Sequence, residues 1–163
     1  MNQNPQTILG ISPGTRSLGI GVMRDRELLD ARIKTFPGKW SEGKRKAIME
    51  TIAKLLNDFN VTTVALKTIH LSRSSTALNQ VIYDIKDVAE KRKLKFVLYT
   101  INELKEYCSG GKKGNKKVLT DFIAHNYPEL SFECSKEKNS RNKYYIKLFE
   151  SVVCTGLSAN QLI

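Results

Sequence analysis

ILGISPGTRSLGIGV, residues 8–22, sets the organisation of everything that follows it. An apolar strand, a Pro13-Gly14 turn and a second, glycine-rich apolar strand read as a β-hairpin. The hairpin displays position 12 at the edge of its turn, and Ser12 occupies it. A polar side chain closing a buried strand is where chemistry would sit.

Outward from the hairpin, residues 27–34 read as a third short strand, closed by Phe36-Pro37-Gly38. Residues 44–60 place Ile48, Ile52, Leu55, Leu56 and Phe59 at helical spacing and end at Asn60. Residues 61–66 are rich in β-branched side chains and short enough for a buried parallel strand. Helical spacing returns over residues 76–92 through Leu78, Ile82, Ile85 and Ala89, and residues 95–99 give a fifth strand. A short helix over 101–107, a basic loop over 109–115, a helix over 116–126 stopped at Tyr127-Pro128, and a last helix over 141–156 complete the chain. The order βββ-α-β-α-β-α-α-α predicts an α/β fold: a mixed sheet with three antiparallel strands first, then parallel strands, and helices on both faces.

With 163 residues, 40% of them hydrophobic, and no Pro/Gly/Ser-rich linker, residues 1–163 are expected to form one domain. No apolar run approaches the ~20 residues that span a bilayer, and no signal-like segment opens the chain. A soluble, cytoplasmic protein without membrane partners is expected. Cys108, Cys134 and Cys154 are odd in number and widely spaced, which fits neither a disulfide framework nor a paired-cysteine metal site. The charge is more telling: 27 Lys+Arg against 16 Asp+Glu leave +11, with a pI near 9.6. Such a chain attracts polyanions by counterion release, and nucleic acid is the first candidate.

The hairpin motif, the strand order and two later segments together resemble the RuvC-like branch of the RNase H fold, over nearly the whole chain. The resemblance implies a scaffold for Holliday-junction DNA, acting in recombination and repair as a dimer. It also implies three or four carboxylates holding two Mg²⁺ ions roughly 4 Å apart. They are expected at the ends of the first and fourth strands and at two sites one turn apart on the last helix. In this sequence those places hold Ser12, Lys67 (in TVALK, followed by TIHLSRSST), Lys147 and Glu150 (in KLFESVV). One acid remains of four, and the formal charge of the set changes from −4 to +1, which repels a divalent cation. The lysines either fill the space of the metals, one pairing Glu150 and the other facing a phosphate, or merely reach solvent. Asp25, Asp30, Asp84 and Asp87 are expected as solvated surface charges without the spacing to rescue a metal site. Ser12 is a poor nucleophile, since neither His70 nor His125 has an evident orienting group.

The segment TINELKEYCSGGKKGNKKV, residues 100–118, resembles the family's lysine-bearing helix, glycine-rich loop and second lysine. Lys105 and Lys116 take the two basic places, with Lys112, Lys113 and Lys117 around them as phosphate contacts. His70 stands where the family offers an aromatic ring to an unstacked base. Arg73 and the neighbouring serines either contact phosphates or cap the next helix. Trp40 is either a lid over the core or an exposed contact.

These features favour a RuvC-like protein that binds branched or structured DNA with its two-metal site lost, needing no cofactor. A Mg²⁺- or Mn²⁺-dependent junction endonuclease with an atypical site around Glu150 is the enzymatic alternative. An oligomeric docking scaffold that binds no nucleic acid is the third.

Overall fold

The computed structural model describes residues 5–69, 74–111, 117–139 and 144–161. Its sheet has five strands: β1 (Thr7–Ser12), β2 (Ser17–Arg24), β3 (Glu27–Thr35), β4 (Thr63–Lys67) and β5 (Lys95–Tyr99). Their spatial order is β3-β2-β1-β4-β5, with β1 antiparallel to β2 and β2 to β3, and with β1–β4 and β4–β5 parallel. The predicted mixed sheet is what forms.

Among the described residues six α-helices accompany it: α1 (Glu42–Asp58), α2 (Thr76–Lys91), α3 (Ile101–Cys108), α4 (Lys117–Asn126), α5 (Ser131–Asn139) and α6 (Ile146–Gln161). Ser41 starts α1 two residues before the predicted bound by accepting from the Lys44 N–H at 3.1 Å, and Thr100 with Glu103 forms a capping box on α3. α5 departs from expectation. Its sequence SFECSKEKN has no sustained apolar period; it buries Cys134 and Glu137 and follows the short 3-10 turn Pro128–Leu130. The last helix also begins and ends later than the predicted 141–156. Gly156 does not stop it, because that glycine lies within α6 close to the hydroxyls of Tyr107 and Tyr127 and is buried there.

Two apolar clusters sandwich the sheet. Leu9 and Ile11 of β1, Leu18, Ile20 and Val22 of β2, and Val64 and Leu66 of β4 face Ile48, Ile52 and Leu55 of α1 and Val81 and Ile85 of α2. On the other face Ile8 and Ala65 meet Leu148, Phe149, Val152 and Val153 of α6, with Leu104 and Leu119 beyond. Trp40 packs partly buried against the first cluster, which settles it as a cover over the core.

Strand alternation sends Gly10 and Ser12, Gly19 and Gly21, and Ala65 and Lys67 to the α6 face. Small residues there let the helix backbone lie directly on the sheet: a Cβ at Gly10 would strike the carbonyl of Ser151, and one at Gly19 the carbonyl of Lys147. The first turns of α6 are thereby set over the ends of β1 and β4.

Candidate functional site

Ser12 ends β1, Lys67 ends β4, and the two strands are hydrogen-bonded neighbours. Lys147 and Glu150 are three residues apart on α6, so they share a helix face. Four positions from three distant segments therefore converge. The Ser12 hydroxyl donates to one Glu150 oxygen at 3.0 Å, and the Lys67 ammonium pairs with the other at 2.8 Å. Glu150 is 5% exposed and Ser12 1%, so the carboxylate sits inside the protein with both oxygens engaged. Position 12 is thus at the strand end as expected, but it faces inward rather than standing at the turn edge.

The Lys147 ammonium donates to the Ser17 carbonyl at 3.2 Å. Burial holds it below the ordinary lysine value, Glu150 opposes that shift, and the charge of Lys67 adds to it. Lys67 thus pairs with Glu150, and Lys147 borders a cleft while bonded to the Ser17 carbonyl. Neither simply reaches into solvent: the Lys67 side chain is 20% exposed, and Lys147 is half-buried with its ammonium on the Ser17 carbonyl.

That cleft, of about 380 Å³, is lined by Ser12, the turn residues 13–16, Lys67, Ile69, Ser75, Leu78 and Lys147. Ser75 is the N-cap of α2, accepting from the Leu78 N–H at 3.1 Å, so capping accounts for this serine. It also aims the positive end of a 16-residue helix at the cleft. Arg16, exposed on the hairpin turn, adds a third cation that the sequence motif contained without its being singled out. A basic residue in the turn that follows Ser12 was the available signal.

The donor set does not fit a pair of divalent cations. One carboxylate is already bonded through both oxygens, and two ammonium groups border the space. Among the described residues no three His, Cys, Asp or Glu side chains come together as a metal site. Asp84 is not the solvated charge that was expected: it binds the Arg45 guanidinium through two hydrogen bonds of 2.6 and 2.8 Å, joining α2 to α1. Asp30 pairs with Arg32 at 3.3 Å and Asp87 with Lys91 at 2.8 Å.

Of the other predicted contacts that are described, Lys105 and Lys117 do not line this cleft. Lys105 lies half-buried on α3 and Lys117 is exposed at the start of α4. His70, Arg73, Lys112, Lys113 and Lys116 lie outside the described residues. None of the three cysteines is in a disulfide among the described residues, and burial pushes the Cys108 thiol up to about 12, which disfavours its thiolate. No described helix is long and apolar enough to cross a membrane.

Residues 8–127 match the family model described as crossover junction endodeoxyribonuclease RuvC. The RuvC of Prochlorococcus marinus strain MIT 9301 is 29% identical over 126 residues, covering 73% of this chain and 80% of that protein. Among solved structures, Thermus thermophilus RuvC superposes with a TM-score of 0.72 at 14% identity, covering 96% of each chain. The same protein in complex with a Holliday junction substrate gives 0.70 at 13% identity, again over 96% of each. The yeast mitochondrial Holliday junction resolvase Ydc2 gives 0.61 at 13% identity, over 90% of this chain and 75% of that one. At these identities the structural likeness shows the RNase H-like fold. The family match ends before α6, so it does not include Lys147 or Glu150.

Proposed function

Because the chain belongs to the RuvC family of crossover junction endodeoxyribonucleases, we propose that it binds branched DNA through the cleft beside Glu150 and does so without metal-dependent cleavage. The observation that carries this reading is the pairing of Lys67 and Ser12 with the two oxygens of Glu150. A two-metal nuclease needs carboxylate oxygens turned toward the cations that activate water and stabilise the leaving oxygen. Here the single carboxylate is turned toward an ammonium and a hydroxyl. The same arrangement suits a phosphate. Lys67 is held in place by its partner, Lys147 and Arg16 border the cleft, and the α2 N-terminus contributes its dipole.

The family's substrate supports junction DNA as the ligand, and a net charge of +11 supplies the long-range attraction. Fluorescence anisotropy of a labelled four-way junction and a matching duplex, in EDTA and across a salt series, tests the proposal. The expected result is metal-independent binding that prefers the junction and weakens linearly in log K against log salt. Absence of binding to both DNAs at low salt sinks it. Incubating the same junction with Mg²⁺ or Mn²⁺ tests the second half, where the expected result is intact DNA. Cleavage that disappears in Glu150→Gln would establish an atypical nuclease instead.

A further inference from the structure

A second cavity, of about 430 Å³, adjoins the cationic cleft and shares Arg16 with it. Its remaining lining is Thr35, Phe36, Pro37, Gly38 and Lys39, from the end of β3 and the connection to α1. Two bonds fix that connection. The Phe36 N–H donates to the Arg16 carbonyl at 2.7 Å, and the buried Lys44 ammonium donates to the Gly38 carbonyl at 2.7 Å. Gly38 turns the chain at φ +92, and a Cβ built there would meet nothing within 4 Å. The cavity is therefore held open by the backbone, with an apolar floor and cations, Arg16 and Lys39, at its rim.

We propose that this pocket receives an unpaired nucleobase of a nucleic acid whose phosphates lie in the adjoining cleft, an inference that rests on the DNA-binding reading above. The chemistry of the two compartments matches the two halves of a nucleotide. A base is a flat, mostly apolar body, and the pocket offers it an apolar lining at Phe36 and Pro37, Phe36 itself being anchored in the core beneath. A phosphate is an anion, and the neighbouring cleft offers it Lys67 and Lys147. Arg16 serves both, because a guanidinium carries charge toward a phosphate and presents a plane on which a base stacks. Arg16, Lys39 and the Thr35 hydroxyl are the lining side chains that can hydrogen-bond to a base edge, and the inferred occupant is an extruded base of unspecified identity. Branch points and bulges are where DNA supplies such a base at low unstacking cost.

The test compares a duplex carrying one bulged thymidine with the same duplex carrying an abasic bulge, by anisotropy in EDTA at fixed salt. The abasic duplex measures phosphate binding alone. The wild-type protein is expected to bind the thymidine duplex roughly ten-fold more tightly, the scale of one base stacking on a protein surface. Thr35→Leu fills the pocket from an exposed position without changing charge, and is expected to bring the two affinities together. Trp40, the single tryptophan, lies next to the pocket in sequence, so its emission is expected to change with the thymidine duplex and not with the abasic one. Equal wild-type affinities for the two duplexes overturn the base pocket and leave the phosphate cleft standing. Discrimination that survives in Thr35→Leu places the base elsewhere and also overturns it. Failure of both duplexes to bind overturns the DNA-binding reading itself.

Discussion

Glu150 and Lys147, one helical turn apart, are in opposite situations. Glu150 has both oxygens satisfied, so Glu150→Gln leaves the ammonium of Lys67 facing an amide and unpaired in a largely buried place. Stability is expected to fall by ~1–3 kcal/mol in urea unfolding, below the full cost of breaking a buried pair because Lys67 keeps some access to water. DNA binding in EDTA is expected to strengthen at the same time, since the cleft loses its negative charge. Lys147 is the reverse case, an ammonium whose surroundings disfavour its charge. Between its lowered value and the ordinary 10.5, the unfolded chain holds a proton that the folded chain has released. Stability therefore rises with pH across that window, and the contribution is lost as pH falls through the folded value. Lys147→Met is expected to abolish this slope and to raise Tm at neutral pH by roughly 1–3 °C. It is also expected to weaken junction binding and reduce the salt slope by about one. A protein that is more stable and binds less well would show that Lys147 is kept for a ligand; unchanged binding would make it a packing residue.

α6 is the element on which the site depends, and its seat on the sheet was only partly legible. The glycines of LGIGV and ILGIS read as hairpin features, whereas in the structure Gly10, Gly19 and Gly21 clear the path of a helix more than a hundred residues later in the chain. Nothing local announces a long-range contact of that kind. Strand β5 could be read to the residue, Lys95–Tyr99, because a β-branched and aromatic run between turns is a local signal. Helix α5 could not, because only scattered side chains of SFECSKEKN are buried and no period results. Asp84 looked solvated for a similar reason: its partner Arg45 is 39 residues away, on the neighbouring helix. The glycine seat makes a sharp prediction. Gly19→Ala drives a methyl into the backbone of Lys147, so α6 must lift or tilt, at an expected cost of ~1–3 kcal/mol. Junction affinity is expected to fall with it, because Lys147 moves off Ser17. The same substitution at Gly43, on the exposed start of α1, meets only the Ser41 side chain at 3.8 Å and serves as the control.

On the scale of the whole molecule, the proposed function keeps a scaffold without the metal chemistry expected of it. The fold was legible because hydrophobic periodicity and element order specify it. The resemblance implies acids where Ser12, Lys67 and Lys147 stand, and their correspondence with the family's acids is an expectation from the sequence that a triple variant tests. What the sequence could not show was that Lys67 and Ser12 take one oxygen each of the remaining acid, because that pairing exists only once β1, β4 and α6 meet. If these three residues alone separate the protein from a two-metal nuclease, then Ser12→Asp, Lys67→Glu and Lys147→Asp together should rebuild the cation site. One acid is gained and two lysines become acids, so the net charge falls from +11 to +6 and the chain stays basic enough to attract DNA. The triple variant is expected to bind junction DNA more weakly in EDTA, since four carboxylates then face the phosphates. Mg²⁺ is expected to raise its Tm, as any ligand of the folded state does, while leaving the wild type unmoved. Junction cleavage in Mg²⁺ is then the expected gain. A variant that Mg²⁺ stabilises but that leaves the junction intact would mean that these three positions suffice to hold metal and that activity was lost elsewhere in the cleft. A folded variant indifferent to Mg²⁺ would mean that the carboxylates do not converge, and that the correspondence of Ser12, Lys67 and Lys147 with the family's acids is wrong.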